Sequence, residues 1–265
     1  MANLWNQILY QPLVNLLIFF YNLFGGNLGF AIISLTALLR LALVPLTSSS
    51  LKSARKMQQL SPEIEALKTK FKDDKQGLAQ AQLELFKVHG INPAAGCLPQ
   101  IVQIVILITL FNAFSHTLSG SPDSFTKLNS TLYSPLKFSE SKMLNTQFFG
   151  LDLSKPDAFH LPGVPFPIPG LLVILSALTQ FISSKLMLPA AKKAQKRAEK
   201  TPESSDDMAT AMQTQMLYMF PLMTLFIGVS FPSGLALYWL VFSVFSSLQQ
   251  LQINQATPPP LPKQG

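Results

Sequence analysis

Arg40 is the only charged residue well inside any of the long apolar stretches of this sequence. Placing an arginine at the centre of a membrane helix costs about 2.5–3.5 kcal/mol on insertion scales, so an intramembrane cation marks a functional site unless it escapes to the interface. Arg40 lies a turn or two from one end of its stretch, which makes snorkelling the competing explanation. Helical side chains lean toward the helix N-terminus. In the orientation argued below, that direction is the bilayer middle, against escape. The residue is then a fixed cation that requires water or polar neighbours.

Polar neighbours recur at helical spacing. Thr36 and Thr47 share the face of Arg40 at i−4 and i+7, and Gln100 and Gln103 stand one turn apart. Ser176, Thr179, Gln180 and Ser183 form an i, i+3, i+4, i+7 stripe. Ser243, Ser246, Ser247 and Gln250 repeat it, led by Trp239 one turn earlier. Nearly all these groups fall in the half of each stretch nearest the basic loops. The other half is Leu, Ile, Phe and Val, with Thr109 and Asn112 as mild exceptions. A through-channel needs polar lining across the whole thickness. This distribution predicts a wet cavity open to the cytoplasm and closed outside. Hydrogen bonds gluing helices together explain any single stripe as well, but not the shared depth. The candidate site is Arg40, Thr36, Gln100, Gln103, Ser176, Gln180, Trp239 and Ser243.

Other chemistries lack their residues. No Asp or Glu lies within an apolar stretch, so the carboxylate relay of proton-coupled carriers is missing. There is no P-loop and no paired-histidine motif. His89, His116 and His160 fall in or near loops and are read as incidental, and the lone Cys97 excludes an internal disulfide or a multi-thiolate metal site. An enzyme, a cofactor and a metal are not expected. The net charge of +7 reads as basic loops beside a membrane rather than a nucleic-acid surface. A small-solute channel or carrier is the alternative function.

The elements that must position these residues are membrane helices. The 265 residues are 48% hydrophobic and 12% charged, whereas soluble domains carry about a quarter charged residues. Five segments approach the roughly 20 helical residues that a hydrocarbon core requires: Leu28–Leu46, Leu98–Phe114, Gly170–Leu188, Thr214–Val229 and Gly234–Leu251. The fourth is short and contains Pro221. Lys and Arg concentrate in 51–95 and 190–213, while the Lys of 115–169 are balanced by Asp and Glu. The first two segments are therefore cytoplasmic and the third is outside, with the N-terminus out and the C-terminus in.

The predicted organisation is a helix at 1–27, spans at 28–50, 96–115 and 170–189, and a fourth and fifth span within 214–253. Asn3, Gln7, Gln11, Asn15 and Asn22 put a polar stripe on residues 1–24, which suits an interfacial amphipathic helix; a sixth span is the alternative. In 51–95, Leu60-Ser61-Pro62-Glu63 starts a helix, Asp73-Asp74-Lys75 with Gly77 makes a turn, and a second helix follows, giving a cytoplasmic helical hairpin. The 116–169 loop is expected to hold little regular structure, 190–213 to be part helical, and the proline-rich tail, 254–265, to be disordered. Met208, Met212, Met216, Met219 and Met223 form a stripe; the deeper three are expected to pack against other helices. The N-terminus shows no transit or lipidation signal, from which a bacterial plasma membrane is expected. The fold class is all-α and polytopic.

Several of these stretches resemble the YidC/Oxa/Alb insertases. LGFAIISLTALLRLALVPLT looks like that family's first core helix, with Arg40 at its groove arginine. HGINPAAGCLPQIVQ is similar to the start of its second span, FFGLDLSKPD to the stretch before its third, and YMFPLMTLF with FPSGLALYWLVFSVFSSLQQ to its last two. Ser243 stands where the family often has Asn. The resemblance covers nearly the whole chain, without the extra N-terminal span and periplasmic domain of Gram-negative members or the basic tail of mitochondrial ones. It implies an insertase that admits a hydrophilic segment to a wet, positively charged groove. Arg40 would attract acidic groups of a translocated tail. The implied partners are nascent membrane proteins, the lipid bilayer, the ribosome, the signal recognition particle pathway and the Sec translocon.

Overall fold

A computed structural model describes residues 2–71, 74–92, 98–117, 122–138, 144–187 and 215–255. The expected loop at 190–213, Met208, Met212 and the tail from Ala256 lie outside the described residues. Nine helices of nine residues or more appear among the described residues. They are α1 (Gln11–Leu23), α2 (Leu28–Gln59), α3 (Ser61–Lys70), α4 (Lys75–Val88), α5 (Leu98–Asn112), α6 (Pro122–Thr131), α7 (Leu171–Met187), α8 (Phe220–Gly228) and α9 (Ser233–Gln255). Leu28–Met57, Leu98–Ser115 and Ser233–Gln255 are long and apolar enough to cross a bilayer, and Leu171–Leu186 and Leu217–Gly228 are shorter apolar helices. These five coincide with the five expected segments.

The bundle has two ends, one carrying residues 122–169 (the loop end) and the other carrying α3 and α4 (the hairpin end). α9 packs on α7 along one side and on α2 along another, and α8 packs on α7. The core lies mainly in the loop-end half, where Leu28, Ile32 and Leu35 of α2 join Ile106, Leu110 and Phe114, Val173 of α7, and Leu235 to Tyr238 of α9. Two glycines allow close approach there: a Cβ on Gly228 would lie 2.8 Å from Val173 Cγ1, and one on Gly234 2.6 Å from Phe114 Cε1.

α2 continues to Gln59, well past the expected end of the first span at residue 50. Its second half stays on α9. Gln249 Nε2 donates to Thr47 Oγ1 (2.7 Å) and Ser48 Oγ (3.1 Å), and the Arg55 guanidinium donates to the carbonyls of Ile253 and Asn254. A cation on the last carbonyls of a helix satisfies orphan acceptors and opposes the dipole. The α2–α9 seam is therefore closed down to the hairpin end.

The helical hairpin forms as expected, α3 starting at Ser61 with Pro62 in its first turn. The turn is tighter than predicted. Asp74 is the N-cap of α4, accepting from Gly77 N at 2.8 Å, so Gly77 belongs to the first helical turn. His89 is buried at the hairpin's far end, its Nε2 3.5 Å from Glu63 Oε2.

Residues 1–24 differ from a simple amphipathic stripe. A π-turn at Asn6–Tyr10 breaks the 3.6-residue register between the polar residues before and after it. Gln7 and Asn22 are exposed, but Asn15 is buried. Asn15 donates to Thr131 O (3.1 Å) and accepts from Tyr133 N (2.6 Å), and Gln11 also donates to Thr131 O. The helix is thereby fastened to the loop end.

The 116–169 segment is not irregular over its described residues, contrary to expectation. It contains α6 and two antiparallel ribbons, β1 (Gln147–Phe148) with β2 (Leu151–Asp152) and β3 (Ala158–Phe159) with β4 (Ile168–Pro169). Two carboxylates organise it. Asp152 Oδ1 accepts from Thr146 Oγ1 (2.6 Å), Ser154 N (3.1 Å) and Ser154 Oγ (2.7 Å), and Oδ2 lies 3.2 Å from Lys155 Nζ. Partial burial raises this carboxyl's pKa, but the donors outweigh it and hold it well below the usual carboxylate range. Asp157 Oδ2 accepts from Leu172 N (2.7 Å) and Val173 N (3.3 Å), capping α7. Composition rich in Ser, Pro and Asn hides such order, because it rests on side-chain-to-backbone bonds rather than on periodicity.

Candidate functional site

Arg40 is 7% exposed and lies against α9. Its guanidinium carbon is 4.2 Å from the Phe242 ring centroid and 5.4 Å from that of Phe245, and Nη2 donates to Ser246 Oγ. Nε is buried without a hydrogen-bond partner. Guanidinium stacking on aromatic rings is favourable when both are desolvated, and it holds the cation in place while leaving a donor unused. An unused buried donor carries a desolvation cost that an incoming acceptor would relieve.

Arg40 ends a continuous line of contacts. Gln103 Nε2 donates to Tyr238 Oη at 2.9 Å, the Tyr238 ring sits 6.2 Å from Phe242, and Phe242 carries the guanidinium. Two of the predicted site residues, Arg40 and Gln103, are thus joined through Tyr238 and Phe242. The sequence signal for those two was available: they follow one another at i, i+4 along α9, and Ser246 extends the series by one more turn.

Other predicted residues make bonds within or between helices or have none to Arg40 among the described contacts. Ser176 Oγ donates to Ala236 O (2.8 Å), fastening α7 to α9, and Thr224 Oγ1 donates to Gln180 Oε1 (2.5 Å), fastening α8 to α7. These are the helix-to-helix bonds that the sequence also permitted. Thr36 is buried one turn from Arg40 and returns its hydroxyl to Ile32 O (2.6 Å). Ser243 is buried on α9, Trp239 is half-buried, and Gln100 is exposed.

α5 is packed unevenly. From Leu98 to Val105 it has no buried residue, whereas Ile106, Thr109, Leu110, Ala113 and Phe114 are all buried. Its loop-end half is part of the core. Its hairpin-end half is less buried: Gln103 reaches α9 and Val102 touches the core, while Gln100 sits beside exposed Leu98, Ile101 and Ile104. On α8, the face turned to α7 is Pro221, Thr224 and Gly228, and Met223, like Met219 just before the helix, is exposed rather than packed as expected.

A family model described as 60Kd inner membrane protein matches residues 19–260 of this chain. The chain belongs to that family, the YidC membrane protein insertases. A relative from Pelobacter propionicus, named Membrane protein insertase YidC, is 34% identical over 255 residues, covering 95% of this chain and 39% of the relative. Relatives named Membrane protein insertase YidC 2 from Listeria innocua and Bacillus anthracis are each 31% identical, covering 94% and 96% of this chain and 72% and 82% of their own lengths. The chain thus spans about two-fifths of the Pelobacter protein and most of the other two. The resemblance to the YidC/Oxa/Alb insertases read over nearly the whole chain is thus a family relationship. The multi-pass membrane character follows from it and from the apolar helices.

Proposed function

We propose that this chain inserts and helps fold integral membrane proteins through a hydrophilic groove between the hairpin-end half of α5 and the α2–α9 pair. The groove opens to the cytoplasm and to lipid. Five spans cross a bacterial inner membrane, with the N-terminus outside and the hairpin and basic loops cytoplasmic. The observation that supports this most is the uneven burial of α5: its fully buried residues begin only at Ile106. A groove that stops partway would follow from burial concentrated in one half of α5, with Arg40 and Gln103 as its polar groups.

A hydrophilic tail of the substrate moves part of the way across in this groove. Its acidic groups approach Arg40, whose Nε is unpartnered. The adjoining apolar segment then leaves sideways past the exposed face of α5 into lipid. The drive is burial of that apolar span, about 25 cal/mol per Å², and no covalent step is involved. The hairpin receives nascent chains, and the ribosome, the signal recognition particle pathway and the Sec translocon are the expected partners on that side.

The test is insertion of a short phage-coat-like protein with an acidic translocated tail into liposomes holding the purified chain. A charged hydrogen bond is worth about 1.5–3 kcal/mol, so Arg40→Ala should slow insertion roughly 10- to 150-fold, and Arg40→Lys should retain more. Equal insertion by all three proteins rejects the electrostatic role of Arg40. Ion leakage through the same liposomes without substrate would instead favour a channel.

A further inference from the structure

We propose that the β1–β2 turn is a membrane-dipping tip, with Phe149 seated among the lipids of the leaflet at the loop end. The register pairs Phe148 with Leu151, so Phe149 and Gly150 are the two turn residues. Both have positive φ, +47° and +82°. This is the arrangement of a type I′ hairpin turn, which favours Asn-Gly. A phenylalanine in the left-handed region is unfavourable, and this one is also 87% exposed. In water alone, both the backbone and the side chain argue against it. Contact with hydrocarbon supplies the missing reason.

The position of the ribbon fits. β1 docks on the first turn of α2, where Phe148 lies over Gly29 so closely that a Cβ there would be 2.0 Å from Phe148 Cδ2. Phe148 and Phe149 end a run of ring contacts that starts on the apolar surface of α1. Centroids are 5.5 Å apart for Phe19–Phe20, 6.5 Å for Phe20–Phe24, 5.9 Å for Phe24–Phe30, 5.6 Å for Phe30–Phe148 and 4.6 Å for Phe148–Phe149. Phe19, Phe24 and Phe30 are exposed, and Phe30 belongs to the lipid-crossing helix α2. The tip is therefore continuous with a surface already covered by lipid. The ribbon's carboxylate, Asp152, does not oppose this, because Thr146, Ser154 and Lys155 engage it at the other end of β2. The proposal rests on the membrane location of the chain and not on the groove.

Cys97 is the only cysteine, so Cys97→Ser gives a background for a single fluorescent label. The full chain carrying Cys97→Ser and Phe149→Cys is labelled with a nitrobenzoxadiazole dye in phosphatidylcholine–phosphatidylglycerol vesicles. Quenching by 5-doxyl lipid should be at least twofold stronger than for a label at the exposed Lys137, and quenching by aqueous iodide several-fold weaker. The opposite pattern, a tip reached by iodide and not by doxyl lipid, overturns the proposal. A second measurement uses Phe149→Asn, which fits the left-handed turn better. Relief of strain alone would slow hydrogen exchange of residues 144–155 in vesicles. Loss of a lipid anchor should speed it several-fold, and slower or unchanged exchange refutes the anchor. Neither readout depends on insertion activity, so failure here is separate from failure of the groove.

Discussion

Removing the Asp157 carboxylate tests how the loop end holds the spans together. The residue is 4% exposed and accepts from the second and third amides of α7, those of Leu172 and Val173, at 2.7 Å and 3.3 Å, while its own carbonyl accepts from Gly170 N at 2.8 Å. Asp157→Ala leaves those amides without an acceptor in a buried place. Loss of an N-cap costs about 0.5–2 kcal/mol, and a buried orphaned donor costs about 1–3 kcal/mol. These describe the same loss from two directions, and the longer bond counts for less, so about 2–3 kcal/mol is expected. Asp157→Asn keeps an acceptor and forfeits mainly the attraction between carboxylate and helix dipole, about 0.3–1 kcal/mol. Gly170 supplies an internal check, because a Cβ there would lie 1.9 Å from Asp157 Oδ1. Gly170→Ala should therefore displace the carboxylate and cost much less once Asp157 is already alanine.

The assay is unfolding by SDS in mixed micelles, followed by the fluorescence of Trp5 and Trp239, with hydrogen exchange at Leu172 and Val173. Exchange there should accelerate roughly 30- to 150-fold in Asp157→Ala if local opening follows the lost stability. Wild-type unfolding and exchange in Asp157→Ala, or strict additivity with Gly170→Ala, would refute the capping account.

Two further outcomes follow from the geometry. Gln103→Leu leaves the hydroxyl of Tyr238, a residue only 2% exposed, without its donor; it should cost about 1–3 kcal/mol in the same unfolding assay, and Tyr238→Phe should recover much of that. Asp152 gives a pH dependence. Its folded pKa is depressed below the ordinary value near 3.9, so its contribution is complete at neutral pH and is lost as the pH falls below about 4. Exchange of residues 144–155 should therefore show an acid-induced loosening, after correction for intrinsic rates, and Asp152→Asn should flatten it.

The sequence by itself determined the membrane class, the five apolar segments, the hairpin and the presence of one cation, Arg40, well inside an apolar helix. Each of these rests on local composition or on a repeat within one helix, and the lack of charge in lipid-facing stretches is a strong constraint. The partners of the polar residues were decided only by tertiary structure. Ser176 and Gln180 have the same spacing as a groove-lining stripe, yet they bond across to α9 and α8. A stripe specifies a face, and which neighbour covers that face depends on how helices far apart in sequence are arranged. The same holds for Tyr238 and Phe242, whose aromatic rings look like core until Gln103 and Arg40 are seen against them. The loop end was the least legible part. Its order comes from Asp152, Asp157, Asn15 and a strained turn at Phe149. Single side-chain-to-backbone bonds of this kind leave no periodic trace, and only the folded chain brings their two halves together.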